Sequence, residues 1–337
     1  MGTDQSCALI TSVSRYDWRA DPKSLSEYGA IFRCAQESLK NLFSVVVVAI
    51  FFCFVSGYAQ GPQLPAVNLG NTTFLDGVAA PGWVVEEIGA GVHDNRAADF
   101  TGQFASTSPD TSSVTALIHI AWISHARTLG GWPGAESLFS GVWVNAGPVG
   151  STSGFGDVTL GPILQWSERK LFGAPIYQRA ALDFDIPLGT YSPKASLNIG
   201  SGHWDVQPAY TITVMPEKRI ETSWRLFYLW NAPNNSPPIA DHASSEQAGQ
   251  AVHLNGTFAL EALKGLYVGA NGYYLRQVSS SRIDTRVFPD RQQIGGIGPG
   301  MVMQREKWFY FANLYHEVCA RDMSEGDKIV LRVTRVF

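Results

Sequence analysis

The sequence predicts an all-β protein: a transmembrane antiparallel β-barrel of about 12 strands that follows a signal peptide. Three observations carry this. From Gly82 onward apolar and polar residues alternate with a period of two, the mark of strands with two unlike faces. The connections between these segments are alternately long and short, as in barrels with long outer loops and short periplasmic turns. The last segment, 327–337, alternates and ends on Phe337, the terminal residue expected of a chain read by the outer-membrane insertion machinery, although Arg335 stands where such a signal is usually hydrophobic.

Export is read from the other end of the chain. The run 42–55 is the only continuous hydrophobic segment, and at about 14 residues it suits a signal core rather than a membrane span, which needs roughly 20. Gly57 and Ala59 supply small residues at the −3 and −1 positions of a cleavage site, Lys40 is a basic flank, and cleavage is expected near Ala59/Gln60. Cys53 follows Phe52 rather than a small residue, which argues against a lipid anchor. Residues 1–40 are mixed and polar ahead of this signal, so they read either as a start assigned too far upstream or as a long leader.

Removing 1–59 leaves 278 residues with 20 Lys and Arg against 24 Asp and Glu, a mildly acidic balance that gives no basis for nucleic-acid binding. Cys7, Cys34 and Cys53 fall in the removed part and Cys319 alone remains, so no intramolecular disulfide or cysteine metal site is expected.

Twelve strands are expected near 82–92, 112–124, 136–146, 156–167, 176–188, 202–214, 218–230, 248–262, 265–277, 292–303, 307–320 and 327–337. Segment 219–230 shows the pattern well: Ile220, Thr222, Trp224, Leu226, Tyr228 and Trp230 share one face, while Arg219, Glu221, Ser223 and Arg225 share the other. Leu182, Phe184, Ile186 and Leu188 oppose Asp183 and Asp185 in the same way, and Val252, Leu254, Phe258 and Leu260 oppose His253, Asn255 and Thr257. The connections 93–111, 147–155, 189–201, 231–247 and 278–291 are long, whereas 215–217, 263–264 and 304–306 are turns. Trp83, Trp122, Trp166, Trp204, Trp230 and Trp308 lie at or near strand ends, where an aromatic girdle meets the headgroups. Pro162, Pro187 and Pro208 each remove a ladder donor and are expected at bulges or strand ends. A secreted β-sandwich is the alternative architecture.

Segment 60–81, before the barrel at 82–337, is too polar and too broken by Pro62 and Pro65 for a strand; it is either a periplasmic tail or a plug within the lumen. On the face opposite the apolar rows lie Asp183, Asp185, Asp205, Arg219, Glu221, Arg225, His253 and Glu261, the residues expected to line the lumen. They read either as a structural ladder of ion pairs or as a charged eyelet that selects a solute. No catalytic, cofactor or metal motif is present. The glycine run at 295–300 contains Pro299 and lies within an expected strand, so it lacks the helix N-terminus that holds a phosphate.

The motifs LPAVNLG at 64–70, FLDG at 74–77, PGWVVEE at 81–87, GDVTLGP at 156–162, DIPLGTY at 185–191, RLFYLWN at 225–231 and IGPG at 297–300 are similar to those of the outer-membrane transporter family associated with the phenol meta-cleavage degradation pathway. The resemblance extends over nearly the whole mature chain. It implies a β-barrel in the outer membrane, and it brings no defined catalytic or binding residues. The expectation is therefore a non-enzymatic channel passing small, partly hydrophobic, mainly aromatic compounds by passive diffusion, with no cofactor and with membrane lipid, organic solutes and the insertion machinery as partners. The alternatives are a barrel enzyme acting on lipid, which needs a Ser and a His adjacent on the lipid-facing surface, and a soluble periplasmic binding sandwich.

Overall fold

The computed structural model describes residues 62–337, apart from Lys218 and the side chain of Glu168. The signal peptide and leader read from 1–59 lie outside the described residues. Twelve strands form the barrel: β1 Gly82–Ala98, β2 Thr111–Ile123, β3 Trp132–Asn145, β4 Val158–Leu171, β5 Ala174–Ile186, β6 Asp205–Glu217, β7 Ile220–Asn231, β8 Ala251–Leu263, β9 Leu266–Gln277, β10 Gln293–Arg305, β11 Trp308–Arg321 and β12 Met323–Val336. Each pairs antiparallel with its sequence neighbours, and β1 pairs with β12 from Val84↔Val336 to Ala98↔Met323, which closes the ring. A closed ring has no free edge and leaves no strand backbone unpaired toward lipid. This excludes the sandwich alternative. No helix is long and apolar enough to cross a membrane, and a barrel crosses with strands.

The faces are inverted relative to a soluble protein. On β7 the outward Leu226 is 51% exposed and Trp224 40%, while the inward Glu221 is 0% and Arg225 4% exposed. The outward rows meet hydrocarbon, so apolar residues belong there, and the inward rows carry the charges. Trp83 and Trp122 are cross-strand neighbours, with ring centroids 6.4 Å apart, at the end of the barrel that carries the short turns. Trp308 lies at the same end, Trp230 and Trp204 lie at the opposite end, and Trp166 sits farther inside β4 with its indole donating to the Leu129 carbonyl. Arg335, the departure from an all-hydrophobic terminal signal, lies over the rings of both Trp308 and Phe337.

Several expected boundaries shift for local reasons. Residues 215–217 are not a turn but the end of β6, where the register shifts between Val214 and Glu217 and so accommodates Pro216. The short turns fall at 172–173, Arg219, 264–265 and 306–307 instead, with Phe172, Gly173, Gly265 and Glu306 at positive φ. β12 starts at Met323 rather than 327, because Asp322 alone, at φ 50°, links it to β11. Within the long connection after β3, Ser151–Phe155 folds back and pairs with β3. Pro187 follows the end of β5, but Pro162 and Pro208 occupy neither bulges nor strand ends. Register is the same on both sides of each, Leu160↔Phe184 then Ile163↔Ala181, and Val206↔Trp230 then Ala209↔Phe227. Each proline omits rungs of the ladder without slipping the strands, and its other neighbour pairs normally, as Ala135↔Pro162 and Leu182↔Pro208.

Leu226 lies near the middle of β7 and faces lipid, so Leu226→Arg should lower the stability of the folded barrel by about 2–4 kcal/mol. A urea titration followed by the heat-modifiable gel shift measures this. A shift in midpoint no larger than that of Leu226→Ala would contradict the outward assignment.

Candidate solute cavity in the lumen

Residues 62–81 have no regular secondary structure and run through the lumen from the long-loop end to the short-turn end. At the first end the Leu64 amide donates to the Gln292 side chain (2.8 Å), and at the other Ser167 donates to the Ala79 carbonyl (2.6 Å). An irregular strand inside a barrel has backbone groups that need partners, and the wall supplies them from side chains. Gly70 N–H donates to Asn255 (3.0 Å), Gly77 N–H to Thr213 (2.9 Å), Tyr315 donates to the Gly70 carbonyl (2.8 Å), and Lys328 to the Leu69 carbonyl (2.6 Å). Gly70 has φ +74°, and a Cβ there would stand 2.6 Å from the Tyr315 ring, so the close approach requires glycine. Phe74, fully buried, anchors this strap among Ala259, Tyr267, Val302 and Phe311 in the short-turn half. The glycines of β10 make room for these contacts: a Cβ on Gly300 would lie 2.8 Å from Phe74, and one on Gly296 2.4 Å from the Tyr273 ring.

Above the strap anchor lies a cavity of about 930 Å³, within the range of small-molecule sites. Its floor is a charged cluster. His119 sits between two carboxylates, Nδ1 2.6 Å from Glu86 and Nε2 2.8 Å from Glu136, and with both ring nitrogens donating it is an imidazolium. Arg332 lies 3.5 Å from Glu86, and Thr334 donates to Glu86 at 2.7 Å. Arg225 bridges Glu136 and the strap residue Asp76, each at 3.7 Å. The strap is thus tied electrostatically to the wall at the depth where the cavity ends.

The side walls differ. β1–β3 contribute Ile88, Leu117, Leu138 and Val142, whereas β4–β6 and the loops beside them contribute Asp157, Asp183, Asp185 and Asp205. Asp157 accepts the amides of Gly189 (2.9 Å) and Ser201 (2.7 Å), pinning loop 187–204 to the mouth. Asp185 accepts from Thr159 and Gln207. His203, in that loop, lies 3.1 Å from Asp205. Burial works against its charged form, but the hydrogen bond and charge of Asp205 outweigh it and raise the His203 pKa above its ordinary 6.5.

Of the residues singled out from sequence, Asp183, Asp185, Asp205 and Arg225 meet at this cavity. Glu221 and His253 also point inward but lie apart from it. Glu221 accepts from Ser223 and Thr257 near strap residue Leu75, and His253 stacks on Phe227 at 4.2 Å. Arg219 and Glu261 are at the short-turn end, where the Arg219 guanidinium donates to the Glu261 carbonyl (2.7 Å) and the Glu261 carboxylate accepts the Gly265 amide (2.8 Å). Glu86, His119, Glu136, Asp157 and Lys328 were not singled out as site residues. The register of the strands, Glu86↔His119 for example, brings them to the cavity.

A family model described as "Putative MetA-pathway of phenol degradation" matches residues 94–333. Among solved structures, the chain is similar to an outer membrane channel from Pseudomonas putida F1, at 16% identity over 81% of this chain and 100% of that chain, with a TM-score of 0.69. It also matches the TodX monoaromatic hydrocarbon channel deltaS2 mutant (9% identity, 77% of this chain and 91% of that chain, TM-score 0.42). A third match is the translocator domain of the autotransporter NalP from Neisseria meningitidis (10% identity, 77% and 90% coverage, TM-score 0.41). The first likeness shows the fold. No curated protein matches.

Two outcomes are expected of this site. His119→Leu leaves Glu86 and Glu136 without their shared cation and should destabilise the barrel by about 3–5 kcal/mol in urea; an unchanged midpoint would show that the two arginines suffice. The His203–Asp205 contact contributes fully below pH 6.5 and is lost as pH rises through the raised His203 pKa. Limited proteolysis of loop 187–204 should therefore accelerate with rising pH across that window, and His203→Gln should remove the pH dependence.

Proposed function

The chain belongs to the family of the MetA-pathway of phenol degradation, and from that premise we propose that it is an outer-membrane channel passing small, partly hydrophobic organic compounds, aromatics foremost, by passive diffusion. The observation that carries the reading is the half-apolar cavity of about 930 Å³ inside a closed barrel. Diffusion needs a space that a small ring can enter and leave, with contacts neither uniformly greasy nor uniformly charged. The long loops around the cavity belong to the outer face and the short turns to the periplasmic face. Export runs through cleavage near Ala59/Gln60, and insertion through the C-terminal strand ending in Phe337.

The path onward passes the strap. Phe74 and its neighbours fill the short-turn half, so a solute leaving the cavity has to displace residues 72–80 or slip between them and the wall. The polar contacts of the strap are hydrogen bonds and one 3.7 Å ion pair, from Asp76 to Arg225, weak enough individually for such movement.

The lipid-enzyme alternative asks for a Ser beside a His on the outward face. His316 lies there, 2.8 Å from Asp327, and the other ladder partner of Asp327 is His93, which is itself paired with Ser112. The channel reading needs no such pair.

The test is permeation of phenol and benzene-sized solutes into proteoliposomes carrying the purified protein, with protein-free liposomes as reference. Faster entry is expected, and rates equal to the reference would overturn the reading. Phe74→Ala removes the strap's buried anchor, a truncation worth about 3–5 kcal/mol in a packed core. It should raise mean single-channel conductance in planar bilayers while the heat-modifiable band persists. Unchanged conductance in a folded variant would show that the strap does not limit passage.

A further inference from the structure

We propose that the outward face of the barrel carries a second activity at its outer rim: hydrolysis of the acyl esters of membrane lipid, with Ser112 as nucleophile and His93 as general base. This is independent of the cavity and goes beyond the channel reading.

A row of five polar residues crosses neighbouring strands at one level: Asn145↔Ser112, Ser112↔His93, His93↔Asp327 and Asp327↔His316, from β3 through β2, β1 and β12 to β11. The sequence neighbours Val144, Ser113, Val92 and Lys328 line the cavity, so alternation turns Asn145, Ser112, His93 and Asp327 out of the barrel. The Asp327 and His316 side chains are 75% and 59% exposed. Residues directly opposite on one face of an antiparallel pair have Cβ atoms about 4.5–5.5 Å apart, a gap that a serine χ1 rotation closes to hydrogen-bond contact with an imidazole.

The order along the row is that of an acyl-transfer site. Ester cleavage needs a nucleophile, a base beside it, a carboxylate that orients the base and a donor toward the developing oxyanion. Asp327 Oδ1 lies 2.8 Å from His316 Nδ1, which holds the carboxylate in the row and leaves Oδ2 for the His93 ring. On the other side of Ser112, Asn145 Oδ1 accepts the Gly147 amide (3.1 Å), which identifies Nδ2 as the donor end of that side chain.

Depth brings the row to the ester. His93 lies ten residues beyond Trp83 on the outward row of β1, and at the rise and tilt of barrel strands this spans about 25 Å, the height of the apolar band. One step toward the short turns, Trp143, Val114, Ile329 and Leu314 are exposed and meet hydrocarbon. The row therefore stands where outer-leaflet acyl chains join their headgroups. Gly91 lies between Val114 and Ile329, and a Cβ on Gly89 below it would meet nothing within 4 Å. Without side chains there, an acyl chain can lie against the backbone and end at His93 and Ser112.

The reaction balances with water as co-reactant. Ser112 Oγ bonds to the ester carbonyl carbon while His93 takes the hydroxyl proton, and the leaving group departs with that proton as a free alcohol. Water, deprotonated by His93, then attacks the acyl-serine, which releases the fatty acid and returns the proton to Ser112. Asn145 Nδ2 donates to the carbonyl oxygen in both steps, and Asp327 positions the imidazole and offsets its charge.

The purified protein is incubated in mixed micelles with a phosphatidylethanolamine and, separately, with lipid A, and released fatty acid is measured against protein-free micelles. Release is expected, and the lipid that is cleaved identifies the source of the ester. Ser112→Ala should lower the rate by roughly a thousandfold or more with the heat-modifiable band retained. Asp327→Asn should lower kcat and leave KM unchanged. A fluorophosphonate probe should label Ser112 in the wild type, which tests the nucleophile even where a variant does not fold. No release from either lipid, undiminished release by folded Ser112→Ala, or a wild type left unlabelled overturns the proposal. Phenol entry into proteoliposomes is a separate measurement, so the channel reading stands or falls apart from this one.

Discussion

Everything in this molecule follows from the absence of water in the bilayer core. A strand there has no solvent to pair its amides and carbonyls, so the ladder must close. It does so where β12 returns to β1, in continuous register apart from a shift between Asp94 and Arg96. Closure settles the fate of the side chains too, since alternation then sends one set to lipid and the other to the lumen. The prolines show how strong the constraint is. Pro162 and Pro208 each omit ladder rungs on one side, yet the strands keep their register, because a one-residue slip would turn every charge of the inner face out into hydrocarbon.

The same rule acts inside the lumen. The strap has no strand partner, and burying it would be prohibitive if its backbone were unpaired. Asn255, Thr213, Tyr315 and Lys328 pair it one group at a time, which explains why so much of the inner wall under it is Asn, Thr and Ser rather than charge. Phe74 adds apolar burial at the short-turn end, and Asp76 ties the strap to Arg225. Charge is concentrated where the strap gives way to the cavity. There, Glu86, His119, Glu136, Arg225 and Arg332 balance one another closely enough to be buried together.

The inner face therefore does two jobs at different depths. In the short-turn half it is a scaffold for the strap, and Glu221, which accepts from Ser223 and Thr257, belongs to this half, whereas His253 lies toward the long-loop end, stacked on Phe227 with its Nε2 3.2 Å from Gln207. In the long-loop half it is a surface for a guest, with Asp157 and His203 holding loop 187–204 at the mouth. Ion-pair ladder and eyelet, the two readings of the inward charges, thus describe different levels of one wall.

Alternation is a local property, so the sequence by itself determined the strands, their number, which side chains face lipid and which face inward. The row from Trp224 to Trp230 and the inward Glu221 and Arg225 were legible without coordinates. Turn placement was less so: Met215 to Glu217 read as a turn because Pro216 sits there, whereas a bulge absorbed the proline and the turn falls at Arg219. The site was only half legible. Asp183, Asp185, Asp205 and Arg225 share an inward face that the pattern reveals, but whether two inward residues touch depends on strand register and on depth along the barrel axis. Only the tertiary structure decided that Glu86 meets His119, that Arg219 stays at the far rim, and that the segment before β1 lies within the lumen. Those contacts join residues as far apart as Gly70 and Tyr315, and no local pattern encodes the hydrogen bonds that bring them together.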